Sequence, residues 1–126
     1  MAQDFELSFS ADILGKLSGG EISVEQFLNQ VFEDKQNHTN LCRSLAAYFY
    51  DEGGSPEVRE FDIVQASFNA DNLNGAFKCE FKVYYFFTCS DIKNDKHENI
   101  TWKFKIDATL LNIAFVGEEP WVRDAD

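Results

Sequence analysis

The chain has 126 residues, a size that supports one hydrophobic core. Apolar residues make up 44% of it and 13 are Phe, which excludes a disordered chain. With 22 acidic against 11 basic residues the net charge is −11, and that field disfavours nucleic acid and anionic lipid surfaces.

Asp4 to Ser10 alternates, with Phe5, Leu7 and Phe9 on one side, and reads as an edge strand or extended arm. Residues 11–17 carry no clear period, and Gly19-Gly20 breaks the chain, so residues 1–20 are taken as an N-terminal arm. Ser23 with Gln26 forms a capping box. Behind it Val24, Phe27, Leu28, Val31 and Phe32 share one helical face, predicting a helix from about Val24 to Lys35.

Gln36 to Asn40 reads as a connector, with Thr39 or Asn40 capping a second helix. Leu41, Cys42, Leu45, Tyr48 and Phe49 form its stripe, and Gly53-Gly54-Ser55-Pro56 ends it. Residues 21–52 are thus expected to fold as a helical hairpin. His38 begins this helix as a surface histidine in the capping region.

Residues 57–117 read as an antiparallel sheet. Three runs, about Arg59 to Asn69, Gly75 to Ser90 and Asn99 to Val116, are separated by turn-forming residues, with Asn74-Gly75 in the first turn. A first turn centred between Asn72 and Leu73 pairs Val64 with Phe81 and points Asp62 inward opposite Val83. A second turn near Asn94 and Asp95 pairs Phe87 with Trp102, Tyr85 with Phe104 and Lys82 with Asp107. That register puts every apolar pair on one face. Asp91 to Glu98, with His97, then forms a solvated polar turn. Its spacing matches no metal-binding loop. Residues 118–126 form an acidic tail around Trp121.

The expected fold is α+β: two N-terminal helices packed on one face of a curved antiparallel meander of three or four strands, in a single domain. Long strands curling around N-terminal helices resemble the cystatin-like or NTF2-like roll in architecture, with no family motif attached.

Cys42, Cys79 and Cys89 are an odd set without a CxxC pair, pointing to small buried hydrophobes in a reducing, cytoplasmic setting. No segment has the length of a membrane span, and Met1 to Ser10 lacks the basic start of a signal peptide. No catalytic constellation, cofactor motif or metal-ligand spacing is present, so a non-enzymatic role is expected.

Two groups of residues are candidates for function. Tyr84 and Phe86 fall on the face that also carries Lys82 and Lys103, with Phe61 as a neighbour and Trp121 in the tail. Aromatics rimmed by charge point to a protein interface: a protein partner or homodimer, one form being an acidic neutraliser of a basic protein. Asp62, Tyr85 and Trp102 are the second group. In an apolar cleft they would make an NTF2-like small-molecule pocket with acid–base capability. A structural subunit of a larger assembly is the third reading.

Overall fold

The computed structural model describes residues 3–50, 55–87 and 92–119. It is an α+β fold of three helices and a five-stranded antiparallel sheet. In chain order the elements are β1 (Asp4–Ser8), α1 (Ala11–Ser18), α2 (Val24–Val31), α3 (Lys35–Ala47), β2 (Glu57–Asn69), β3 (Asn74–Phe87), β4 (Ile92–Asp107) and β5 (Asn112–Gly117). The strand order is β1-β5-β4-β3-β2, so a meander of four strands gains the N-terminal strand at one edge.

The expected arm is therefore a sheet strand followed by a helix. Asp4 to Ser8 pairs with β5. Residues 11–18 turn helical because Ile13, Leu14 and Leu17 reach the core from one side of two turns. The capping box forms as expected: Gln26 N–H donates to Ser23 Oγ and Ser23 N–H to Gln26 Oε1.

The next boundary is corrected. α2 ends at Val31 and α3 begins at Lys35, so Gln36 to Asn40 is helix rather than connector. Asp34 is the cap: its Oδ1 accepts from Gln36 N at 2.9 Å and Asn37 N at 3.1 Å. Asn37 Nδ2 also donates to the Val31 carbonyl at 2.9 Å, closing the end of α2.

The third strand-like run is two strands. Asp107 Oδ1 accepts from the N–H groups of Thr109 and Leu110, and Leu111 adopts φ 53°. This Asx turn returns the chain as β5. The polar stretch expected as a loop is largely strand, since Ile92 to Glu98 pairs with β3.

The β3–β4 register also differs. Trp102 lies opposite Phe77 rather than Phe87, a slip of ten residues. An even slip keeps each side chain on its face, so the predicted sidedness survives while the predicted partners do not. Lys82 accordingly faces His97, not Asp107.

On the other side of β3 the register shifts twice, between Val58 and Phe61 and between Val64 and Ser67. Gln65 takes φ 52° at the second bulge. These bulges reassign the inward residues of β2. Val58 and Ile63 are buried, Val64 is not, and Asp62 points outward beside Glu80.

The first turn is Ala70 to Leu73, closed by Asn69 Oδ1, which accepts from Asp71 N and Asn72 N. Gly75, expected in the turn, sits in β3. A Cβ there would overlap the Ser67 carbonyl oxygen and come within 2.6 Å of the Phe104 ring. Close approach, not turn geometry, is what this glycine supplies.

One core joins the helices to one side of the sheet. Phe27, Leu28, Leu41 and Leu45 meet Phe77, Val83, Trp102, Ile113 and Phe115, all of them fully buried. Phe5, Phe32, Phe61, Phe68 and Phe104 complete a web of ring contacts. Tyr48, the residue capping α3, ties the start of β1 to the end of β5: its hydroxyl accepts from Gln3 N–H at 3.3 Å and donates to the Glu118 carbonyl at 2.6 Å.

Candidate functional site

All core residues of the helices face one side of the sheet, and no described residue covers the other. Alternation of side chains along each strand decides what that outer face shows. β4 contributes Asp95, His97, Asn99, Thr101, Lys103 and Lys105, all exposed. β3 contributes Ala76, Lys78, Glu80, Lys82 and Tyr84. β2 adds Asp62, Val64 and Ser67, and β5 adds Ala114 and the half-exposed Val116.

Two concavities meet at the bulge in β2. The larger, about 860 Å³, opens at the bulged β2 edge and is lined from both faces, by Asp62, Glu80, Lys82, Tyr84 and His97 on the outer side and by Phe61 and Phe81 on the inner, among others. The smaller, about 510 Å³, lies between α3 and the start of β2, with Thr39, Arg43, Tyr50 and Val58 in its lining. His38 and Arg59 line both.

Arg59 forms the wall between them. Its guanidinium stacks over Tyr84 at 4.3 Å and its Nε donates to Glu57. Lys82 approaches the same ring at 5.9 Å and reaches Asp95 at 4.0 Å. Lys78, Lys103 and Lys105, farther along the face, have no ion pair among the described residues.

His38 is half-buried, its ring stacked on Phe61 at 4.8 Å with Nδ1 3.7 Å from Cys42 Sγ. Burial, assisted by the nearby Glu60 charge, pushes the Cys42 thiol up to about 11. Burial also raises the Cys79 thiol strongly, with smaller contributions from Cys42 and Asp62. Both thiols are therefore protonated at neutral pH, the unreactive form. No group of three or more metal-ligating side chains gathers among the described residues. No helix there is long and apolar enough to cross a membrane.

The sequence-predicted residues divide sharply. Tyr84 and Lys103 lie on the outer face as expected. Phe61 does not join them. The bulge turns it inward, where it packs on His38 and on Phe32 at 5.4 Å. The side chain of Phe86, and Trp121 and Cys89 altogether, lie outside the described residues.

The three pocket residues are not brought together. Asp62 is exposed on the outer face, whereas Tyr85 and Trp102 are buried on the inner one. Tyr85 stands opposite Asn94, eight residues along β4 from Trp102, which separates the two by roughly 27 Å. Trp102 is packed edge-on by Phe5 and Tyr48, and its Nε1 has no hydrogen-bond partner among the described residues.

Arg59 was missed by sequence reasoning, yet it left a trace. Val58, Phe61 and Ile63 step by three and then by two, the interval a bulge produces in an otherwise alternating strand. No protein-family model, curated protein or solved structure matches the chain.

Proposed function

We propose that this chain is a non-enzymatic protein-binding module that docks through the outer face of its sheet. One observation carries the reading: a broad antiparallel face without a covering layer among the described residues, holding the Arg59–Tyr84 stack beside a concavity. Tyr and Arg are the side chains that most often anchor interfaces, because each offers a large contact area together with hydrogen-bonding capacity. Thr101, Val64, Ala76 and Val116 are short side chains set among Lys78, Glu80 and Lys103, leaving gaps that a partner's side chains can enter. The protonated thiols and the separation of Asp62 from Tyr85 and Trp102 favour this reading over an acid–base pocket.

The test is site-specific cross-linking in extracts of the cells that make the protein. Photoreactive benzoylphenylalanine replaces Tyr84 in one variant and Lys16, an exposed position on α1, in another. An adduct from position 84 and none from position 16 is expected. Equal labelling from both positions, or no adduct from either, would overturn the reading.

A further inference from the structure

The two edges of the sheet are unlike. β2 is interrupted by two bulges and by Gln65 at φ 52°, so its open side carries no regular row of backbone groups. β1, at the opposite edge, is straight, and its five residues pair with β5 without a shift. Gly117 N–H donates to the Gln3 carbonyl at 2.8 Å and Phe9 N–H to the Leu111 carbonyl at 3.1 Å, which fixes the phase of that ladder. Phe5 and Leu7 therefore turn N–H and C=O toward β5, and Asp4, Glu6 and Ser8 turn theirs to the open side. None of those outward groups has a partner among the described residues.

Side chains alternate with the same period. Asp4, Glu6 and Ser8 are exposed on the outer face, and β1 has no basic residue. Phe5 and Leu7 point to the core, where Phe5 is only partly buried. A strand laid along this edge sets one side chain opposite each of these residues, on the same face. Those opposite Asp4 and Glu6 meet carboxylates, and the one opposite Phe5 meets an incompletely covered ring. Lys103 and Lys105 stand in the rows of Asp4 and Glu6, but two strands away across Val116 and Ala114. They lie roughly 14 Å from the added strand, beyond a screening length of about 8 Å. A second copy of the chain is a poor occupant, because the one antiparallel register that uses all three outward residues sets Glu6 against Glu6.

We infer that β1 accepts an extended segment of another protein as a sixth, antiparallel strand, with Lys or Arg at alternate positions and apolar residues between them. The backbone groups of Asp4, Glu6 and Ser8 hold the segment, as in other cases of strand addition. The carboxylates of Asp4 and Glu6 select its basic side chains, and Phe5 receives an apolar one. The net charge of −11 favours the approach of such a segment. This edge lies across the sheet from the Arg59–Tyr84 stack, so it is a second contact region, independent of the docking proposed above.

The probe is the capped peptide Lys-Val-Lys-Val-Lys, titrated to millimolar concentration while the backbone amide resonances of the whole chain are followed by NMR. Paired antiparallel, its lysines lie opposite Ser8, Glu6 and Asp4 and aim their own backbone N–H groups at β1. The amides of Asp4, Glu6 and Ser8 should move most, and the movement should saturate. Methylating the three lysine backbone nitrogens leaves the charge but removes the donors, and should weaken binding about tenfold or more, whereas methylating the valine nitrogens should be tolerated. Glu-Val-Glu-Val-Glu should not bind the wild type. Asp4→Lys/Glu6→Lys, shown by its melt to be folded, should exchange the preference and take the acidic peptide. Still amides at all three positions would refute the strand addition. Equal binding by the peptide with methylated lysine nitrogens would refute it too, because attraction between charges alone needs no backbone donors.

Discussion

Two glycines should answer the same substitution in opposite directions. Gly75 lies in β3 where any Cβ overlaps the Ser67 carbonyl oxygen and crowds the Phe104 ring at 2.6 Å, about 1 Å inside ordinary carbon contact. The ring can tilt, but the carbonyl belongs to the neighbouring strand. Gly75→Ala must therefore open the ladder around the Phe68–Gly75 and Asn69–Asn74 pairs. Two weakened hydrogen bonds at ~1 kcal/mol each, plus ~1–3 kcal/mol of overpacking, outweigh the ~0.5–1 kcal/mol gained by replacing a glycine. The net loss is about 3 kcal/mol, or roughly 12 °C in Tm for a chain of this size. Gly15 sits inside α1 with no atom within 4 Å of a built Cβ, so Gly15→Ala should gain up to ~1 kcal/mol. Urea unfolding followed by circular dichroism measures both. If Gly75→Ala is as stable as the wild type, the close approach of β2 to β3 at that point is wrong.

Three other outcomes follow from individual side chains. Asp34→Ala leaves two N–H groups of α3 without their acceptor and should cost about 1 kcal/mol, read from the urea midpoint, whereas Asp34→Asn should cost less. Cys42 and Cys79 titrate higher folded than unfolded, so the stability they contribute is complete below the ordinary thiol range. It is lost as pH rises toward about 11, and melts at pH 7 and pH 10 should show the later one weaker, by less in Cys42→Ala. Tyr84→Ala should lower stability by no more than ~1 kcal/mol, since its stack with Arg59 is at the surface; a larger drop in the same melts would make Tyr84 a core residue.

Sidedness was legible in the sequence and register was not. Alternation in Phe77, Cys79, Phe81, Val83 and Tyr85 names the buried face of β3 without ambiguity, and the same holds for Ile100 to Ile106 on β4. Alternation is blind to slips of an even number of residues, so ten residues of error cost nothing in pattern. The polar run from Lys93 to Glu98 resembled a loop because a hairpin reaching beyond its neighbours needs few apolar side chains. β2 misled for a different reason. Two bulges shift its phase, and Val64, apolar but outward, supplied a false beat that carried Asp62 to the wrong side. The cap at Asp34 was visible in principle, but Gln36, Asn37 and Asn40 make a polar first turn that reads as a connector. Of the candidate site, Tyr84 and Lys103 were found because β3 and β4 keep strict alternation there. The Arg59 wall depends on a bulge and on tertiary approach.

The tie at Tyr48 has a mechanical meaning. Gln3 and Glu118 share one hydroxyl, and Gly117 N–H donates to the Gln3 carbonyl at 2.8 Å. The body is thus entered and left at one point, where β1 starts beside the end of β5. Tension applied through positions 3 and 118 does not shear that strand pair along its length. It opens the ladder one hydrogen-bonded pair at a time from Asp4–Val116 onward, like a zipper, and the Tyr48 hydroxyl is the first link to part. A fold held by a broad aromatic core can therefore be strong against heat and yield readily to a pull on its two ends.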